Sequence, residues 1–427
     1  MDDFPIAAIR DQFPALALTD GGRARVYADN PAGTQVPQRV VDRVAETLVH
    51  ANANLGGAFA TSRAAGALLD TAHQAMADML HAASAGEIVF GANMTTLTLH
   101  IARCLADRFA PGDEIVLSRM DHDANVAPWL LMAEDRGLAV RWVDFDPETF
   151  EFADDALDRA LTERTRLVAV GYASNCLGTI NDVARIAAKA RAAGALCFVD
   201  AVQLAPHRPV DVQAIGCDLL VCSAYKFFGT HVGVLWGRSD LLSTVKAYKV
   251  RPAGDGLPDR FETGTLNHEG IAGVLGAVEY FKAIGAGMVP AEIRAAHAGK
   301  RHGTALVHAA LDWLARYEDG LTARLIDGLA RLPGVRVQGI TGANALHRRV
   351  PTVSITVDGH APAGLAAGLA DAGIFTWAGH NYAVEPIRRL GLHDAGGVLR
   401  IGLAHYNTAG EVDRIVTELG RLIGSRP

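Results

Sequence analysis

Cysteine is scarce in this chain, and its five copies, Cys104, Cys176, Cys197, Cys217 and Cys222, are scattered. None stands in a CxxC pair or at a Cys/His ligand spacing, which argues against a disulfide framework and against a structural zinc site. They read as small hydrophobes in strands and helices. Long apolar runs are missing too, and none reaches the roughly 20 residues that a membrane helix needs. The start, MDDFPIAAIRDQFP, has no basic stretch leading into an apolar one, so no secretory signal is expected and a soluble, cytoplasmic protein is. Formal net charge is -7, with no basic tail or stripe, which makes nucleic acid a poor partner. No GxGxxG opens a helix after a strand, and this disfavours a dinucleotide-binding dehydrogenase. Repeats and low-complexity segments are absent.

What remains is an ordinary globular balance: 427 residues, 50% hydrophobic and 20% charged, enough apolar material for two or three domains. Seven β-type runs stand between about residues 40 and 285: EIVFG, DEIVLS, LAVRWVDFD, TRLVAVGY, ALCFVDAV, CDLLVCS and HVGVLWG. Helical patterns such as DVARIAAKARAAG lie between several of them. That alternation predicts an α/β domain with a mostly parallel sheet covered on both faces. CDLLVCS and HVGVLWG leave no room for a crossover helix, so one antiparallel member is expected there. Beyond about residue 290 the texture changes to a long helical region, then the strands RVQGI, TVSITVD, IFTWAG and VLRIGLA. The expected division is therefore an N-terminal segment (residues 1–40) packing on a small domain, a large domain (41–289) and a small α+β C-terminal domain (290–427).

One residue is out of place in this scheme. In VCSAYKFFGTHVGVLWG, Lys226 sits among aromatics between two apolar strands. A desolvated lysine has a lowered pKa, which makes its amine a good nucleophile for imine formation; the bland alternative is a turn lysine whose stem lies on Phe227. Other strand ends carry complementary groups, where α/β proteins bind ligands. Thr95 and Thr96 open a helix, where backbone N–H groups suit a phosphate, although a TT at a helix start is commonly just a cap. Asp200 and Gln203 follow the very apolar run CFV, and a buried carboxylate there needs cationic partners or donors. His122 and Asn175 end two further strands. Together, a phosphate cradle, an aromatic platform, a carboxylate and a lysine describe a pyridoxal phosphate site.

The segments MTTLTL, DHDANVAPW, ASNCLGTI, VDAVQLAPH, SAYKFFG, FETGTLNHEGI and LRIGLAHYNT resemble, in order and spacing, the class V aminotransferase superfamily, and within it the cysteine desulfurase-like proteins. The resemblance implies the fold type I architecture of pyridoxal phosphate-dependent transferases, with a seven-stranded large-domain sheet, and a homodimer with its active site at the subunit interface. It implies that Lys226 holds the cofactor, Asp200 pairs with its ring nitrogen and His122 stacks on its face. Asn175 and Gln203 would meet the phenolic oxygen. Thr95, Thr96 and Ser223 would hold the phosphate, and Thr265 would reach a phosphate in the partner. Arg400 would clamp the carboxylate of a small amino-acid substrate, with Asn30 and His380 lining its pocket.

Two positions depart from the cysteine desulfurase pattern. Tyr225 precedes the lysine where histidine is usual, and Tyr382 stands where the sulfur-accepting cysteine would align. A phenol cannot carry a persulfide, and Cys176 is expected to point into the sheet. The expected reaction is therefore C–S bond cleavage at Cβ of cysteine or an S-conjugate, with Tyr382 or His380 as proton donor. An aminotransferase or epimerase is the alternative, as is a desulfurase with another sulfur acceptor. A scaffold that binds the cofactor without turnover has no need of Asp200, Lys226 and Arg400 together.

Overall fold

The computed structural model describes residues 4–424. Its strands are β1 (Thr19–Asp20), β2 (Arg23–Ala24), β3 (Val26–Tyr27), β4 (Ile88–Gly91), β5 (Glu114–Ser118), β6 (Ala139–Val143), β7 (Thr165–Gly171), β8 (Leu196–Asp200), β9 (Leu219–Ser223) and β10 (Gly233–Gly237). The C-terminal part adds β11 (Val335–Gln338), β12 (Thr352–Val357), β13 (Ile374–Phe375), β14 (Trp377–Gly379) and β15 (Val398–Gly402). Seven of these form the large sheet in the order β4-β10-β9-β8-β7-β5-β6. All neighbours run parallel except β10, which is antiparallel to both β9 and β4. The expected antiparallel member is thus present, and it places the Lys226 turn between β9 and β10.

Because strand residues alternate sides, the central strands feed two cores. Val116, Val168, Val199 and Leu220 join one, while Leu117, Ala169, Phe198 and Val221 join the other. Full burial of each such side chain contributes about 1.5–3 kcal/mol. The four-stranded sheet β11-β12-β15-β14 has its own core of Val353, Ile355, Leu399 and Ile401. The helix His302–Leu329 is shared: Val307, Ala310, Leu311 and Leu314 pack into the large core, and Leu321, Leu325 and Leu329 into the small one. No helix among the described residues is long and apolar enough to cross a membrane.

The run IFTWAG is read from sequence as a single strand, but the chain splits it. Ile374 and Phe375 pair in parallel with Val26 and Tyr27, whereas Trp377–Gly379 pairs antiparallel with β15. The N-terminal segment therefore adds a strand beside the small domain. It continues across the end of β15, where the Gly402 amide donates to the Ala28 carbonyl at 2.7 Å. A Cβ on Gly402 would collide with the Pro31 ring, so only glycine lets residues 29–32 lie against Arg400.

Candidate active site

The parallel strands β7 and β8 end at the same level, and their C-terminal ends meet the small domain across a cavity of about 890 Å³. Lys226 lies on the single turn that leaves β9 and is buried. Its Nζ donates to the Pro31 carbonyl and, at 2.8 Å, to that of Ala32, and it sits 4.8 Å from the centre of the Tyr225 ring. Burial, reinforced by the charge of Arg400, pulls the amine down to about 7. Asp200 closes β8 behind the cavity and is buried, its Oδ1 accepting the Val202 N–H at 2.9 Å. Burial pushes its carboxyl up to about 6, against the opposing pull of that N–H and of Lys226.

His122 lines the cavity, and its Nδ1 accepts the Ala124 N–H at 3.0 Å, so Nε2 carries the ring proton. Burial, with Lys226 and Arg400 nearby, lowers it to about 3. The ring is neutral, as suits an aromatic platform. Arg400, in β15, is buried; its guanidinium donates to the Asn175 carbonyl at 3.2 Å and to Asp29 Oδ1 at 3.3 Å. Its Nε, together with Asn175 Oδ1 and Asn381 Oδ1, finds no partner among the described residues. Buried polar groups that lack a partner are costly in a finished site; the Arg400 N–H fits a ligand carboxylate, and the two amide oxygens, which only accept, fit N–H or O–H donors on the ligand.

The helix Met94–Leu105 begins at the cavity edge. Asn93, not a threonine, is its N-cap, accepting the Thr96 N–H at 2.9 Å, and Ser223 Oγ accepts the Met94 N–H at 3.1 Å. Gly233 lets this helix start approach β10, because a Cβ there would strike the Asn93 backbone. Thr95 lines the cavity, whereas Thr96 turns its hydroxyl to Asn93 and faces an adjoining cleft. Asn175 and Gln203 line the cavity too, with amides donating to the carbonyls of Asn381 at 2.7 Å and of Pro31 at 3.0 Å. Thr265 is exposed and lies outside this cavity.

Asn30 is placed differently from the sequence expectation. Its amide donates to the Gly402 carbonyl at 2.8 Å and its Oδ1 accepts the Tyr406 hydroxyl, so the side chain ties the N-terminal segment to β15. Pro31 and Ala32 line the cavity in its place. Two carboxylates escape sequence reasoning. Asp29, one residue before Asn30 in ADNPAG, is the counter-ion of Arg400. Asp121, one residue before His122, accepts from Ser118 Oγ, the Gly171 N–H and Asn125 Nδ2 at 2.7–2.8 Å. Burial raises Asp121 to about 7, and Asp200 pushes in the same direction.

The chain matches the pattern of the aminotransferase class-V family over residues 26–303 and 302–415. It belongs to that family. The family's pyridoxal phosphate chemistry is therefore this chain's, and it is a pyridoxal phosphate-dependent enzyme of the lyase or transferase kind. It is 33% identical over 428 residues to an aminotransferase-like protein of Gibberella zeae, covering 97% of this chain and 98% of that one. A cysteine desulfurase of Yersinia pestis is 31% identical over 441 residues, covering 98% of each. Among solved structures, the apo cysteine desulfurase of Thermococcus onnurineus superposes with a TM-score of 0.85 at 27% identity, covering 98% of both chains. A cysteine desulfurase of Escherichia coli gives 0.80 at 28% identity, covering 99% of both.

The two shifted ionisations of this class V enzyme set a pH expectation. An amine captures an aldehyde only in its free form, which for Lys226 predominates above about pH 7. Asp200 is a carboxylate above about pH 6. The rate at which cofactor-free protein takes up pyridoxal phosphate, followed by stopped-flow absorbance, is expected to rise between pH 6 and 8 and then level off. A rise only near pH 10, where an ordinary lysine titrates, would show that the amine is not desolvated.

Proposed function

We propose that this enzyme cleaves the C–S bond at Cβ of cysteine or a cysteine-derived S-conjugate. The observation that carries this reading is the burial of all five cysteines, set beside Tyr382 on the loop over the cavity. Cys176, the one that follows Asn175, is fully buried, and burial raises its thiol to about 11. No thiol is placed to take sulfur from a substrate. Tyr382, in contrast, is 67% exposed and stacks on His122 with ring centres 5.6 Å apart.

Pyridoxal phosphate, when bound, supplies an aldehyde for amine capture and a ring that accepts the electrons released at Cα. Lys226 would hold the aldehyde until a substrate amine displaces it. Its freed Nζ, neutral above about pH 7, then accepts the Cα proton. Asp200 would keep a proton on the ring nitrogen. His122 would cover one ring face, with Asn175 and Gln203 beside the phenolic oxygen. Thr95 and Ser223 would receive the phosphate at the helix start, whereas Thr96, its N–H and hydroxyl both held by Asn93, faces the adjoining cleft. Arg400 would exchange its contact with Asp29 for the substrate carboxylate. The Tyr382 N–H donates to His380 Nδ1 at 3.0 Å, so the His380 proton sits on Nε2. Either that proton or the Tyr382 hydroxyl proton would go to the departing sulfur.

A homodimer is part of this reading. Val41, Leu48 and Val49 on the helix Gln38–His50, with Tyr248 and Val250, are exposed apolar side chains that a second copy would cover. It would also bring Thr265 to a neighbouring phosphate. Sedimentation at the mass of a single chain would remove this element.

The test is product analysis of the loaded enzyme with cysteine and with S-conjugates. Pyruvate released with no keto acid present is the expected result. Product formed only when a keto acid is added would make the enzyme an aminotransferase, and alanine with protein-bound persulfide would make it a desulfurase. Tyr382→Phe is expected to lower kcat about 100-fold for conjugates whose thiols leave poorly, and less for good leaving groups. Unchanged turnover would move the proton donor to His380.

A further inference from the structure

The cavity over Lys226 has an apolar wall for which C–S cleavage itself has no use. One side is built by Leu99 together with Ala127, Pro128 and Leu131 of the helix Ala127–Arg136, and the other by Trp377 and Tyr382. Leu99 is 44% exposed, Leu131 52% and Trp377 56%. Large apolar side chains gathered round one mouth and left in water mark a binding surface.

Strand pairing fixes how this wall relates to the carboxylate clamp. Trp377 lies directly opposite Arg400 in the β14–β15 ladder. Residues opposite one another in an antiparallel pair share a sheet face, with Cβ atoms about 5 Å apart. An amino acid held at Arg400 therefore extends its side chain beside Trp377. Asp123 is the one acid among the residues lining the cavity, and it disfavours an anionic group there.

We infer that the preferred substrate carries a bulky, neutral, apolar group on sulfur, an S-alkyl or S-aryl conjugate of cysteine, and that free cysteine is a poor substrate. The inference rests on the C–S cleavage reading. Its overall change is R–S–CH2–CH(NH3+)–CO2− plus water giving R–SH, pyruvate and ammonium. The Cβ–S electron pair leaves with sulfur, which takes a proton; water supplies the carbonyl oxygen, and nitrogen departs as ammonium. No oxidant or reductant is consumed.

Two series on the holoenzyme test it. The first is kcat/KM for pyruvate release from cysteine and from its S-methyl, S-butyl and S-benzyl derivatives. The second is the binding of alanine, 2-aminobutyrate and norleucine, which have no leaving group, read from the cofactor's visible absorbance. Affinity is expected to rise about fourfold per buried methylene, or about 60-fold from alanine to norleucine. The S-butyl compound should exceed the S-methyl by a similar factor, with cysteine lowest. Trp377→Ala and Leu131→Ala should each flatten both ladders.

A steep binding ladder without any pyruvate would uphold the apolar pocket while removing the C–S reading. Pyruvate released fastest from cysteine, with a flat binding ladder, would overturn the inference and leave that reading intact.

Discussion

Lys226→Ala is expected to lower turnover by about 10,000-fold, because in the proposed mechanism it would remove both the group that holds the cofactor aldehyde and the base that takes the Cα proton. The loss appears in kcat at saturating substrate and is not a folding defect. The substitution deletes a buried amine whose partners are the carbonyls of Pro31 and Ala32, and both belong to a segment already anchored by Asn30 and Gly402. Circular dichroism of the variant should match the parent. Small primary amines added to the solution should restore part of the rate, since a diffusible base can occupy the emptied space. A variant that keeps more than about a tenth of parental kcat would mean that another lysine does the work.

Asp200→Asn is the second large effect, a loss of about 100- to 1,000-fold in kcat with KM little changed. Asparagine keeps the shape and the oxygen that accepts the Val202 N–H, so what disappears is the charge. That charge is expensive to maintain: burial has raised the Asp200 carboxyl to about 6. A group so placed is held ready for a cationic partner, and in the proposed mechanism a protonated ring nitrogen would be that partner. The sign follows from the ionisation. The parent should lose activity as pH falls through about 6, when the carboxylate takes up a proton. The variant should show a low rate and keep only the fall near pH 7 that protonation of Lys226 sets. If Asp200→Asn retained both the rate and the limb near pH 6, Asp200 would be a structural residue, and Asp121, raised to about 7 beside it, would be the group to examine.

The fold was legible because strands buried on both faces leave unbroken apolar runs, as six of the seven strands of the large sheet do; the edge strand β6, AVRWV, is only partly buried and carries Arg141. The antiparallel β10 followed from loop length alone. The split of IFTWAG at Thr376 was not legible, since nothing in a six-residue apolar run says which half pairs with the N-terminal segment. At the site, Lys226 and Asp200 stood out because a charge within apolar sequence is conspicuous. Asp29 and Asp121 did not, for each sits in a polar loop beside a residue that drew more attention. Asn30 misled for the same reason, having a polar side chain in the right loop that points to β15. Glu318 shows the limit of helix patterns. It reads as one more charged helix residue in ARYEDG, yet it is fully buried between His207, at 2.9 Å, and His405. Burial alone would raise its carboxyl, but His207 and then His405 outweigh that and hold it at about 2. Only the packing of the helix His302–Leu329 across both cores brings those three residues together.

The account stands on which lysine carries the cofactor, and one measurement reads that directly. The holoenzyme is treated with borohydride, digested, and each lysine-containing peptide is weighed by mass spectrometry. The pyridoxyl phosphate increment is predicted on the peptide that contains Lys226, and on no other. The same increment on a different lysine, or an unlabelled digest from protein saturated with cofactor, would contradict the assignment of Lys226 and the roles built around it.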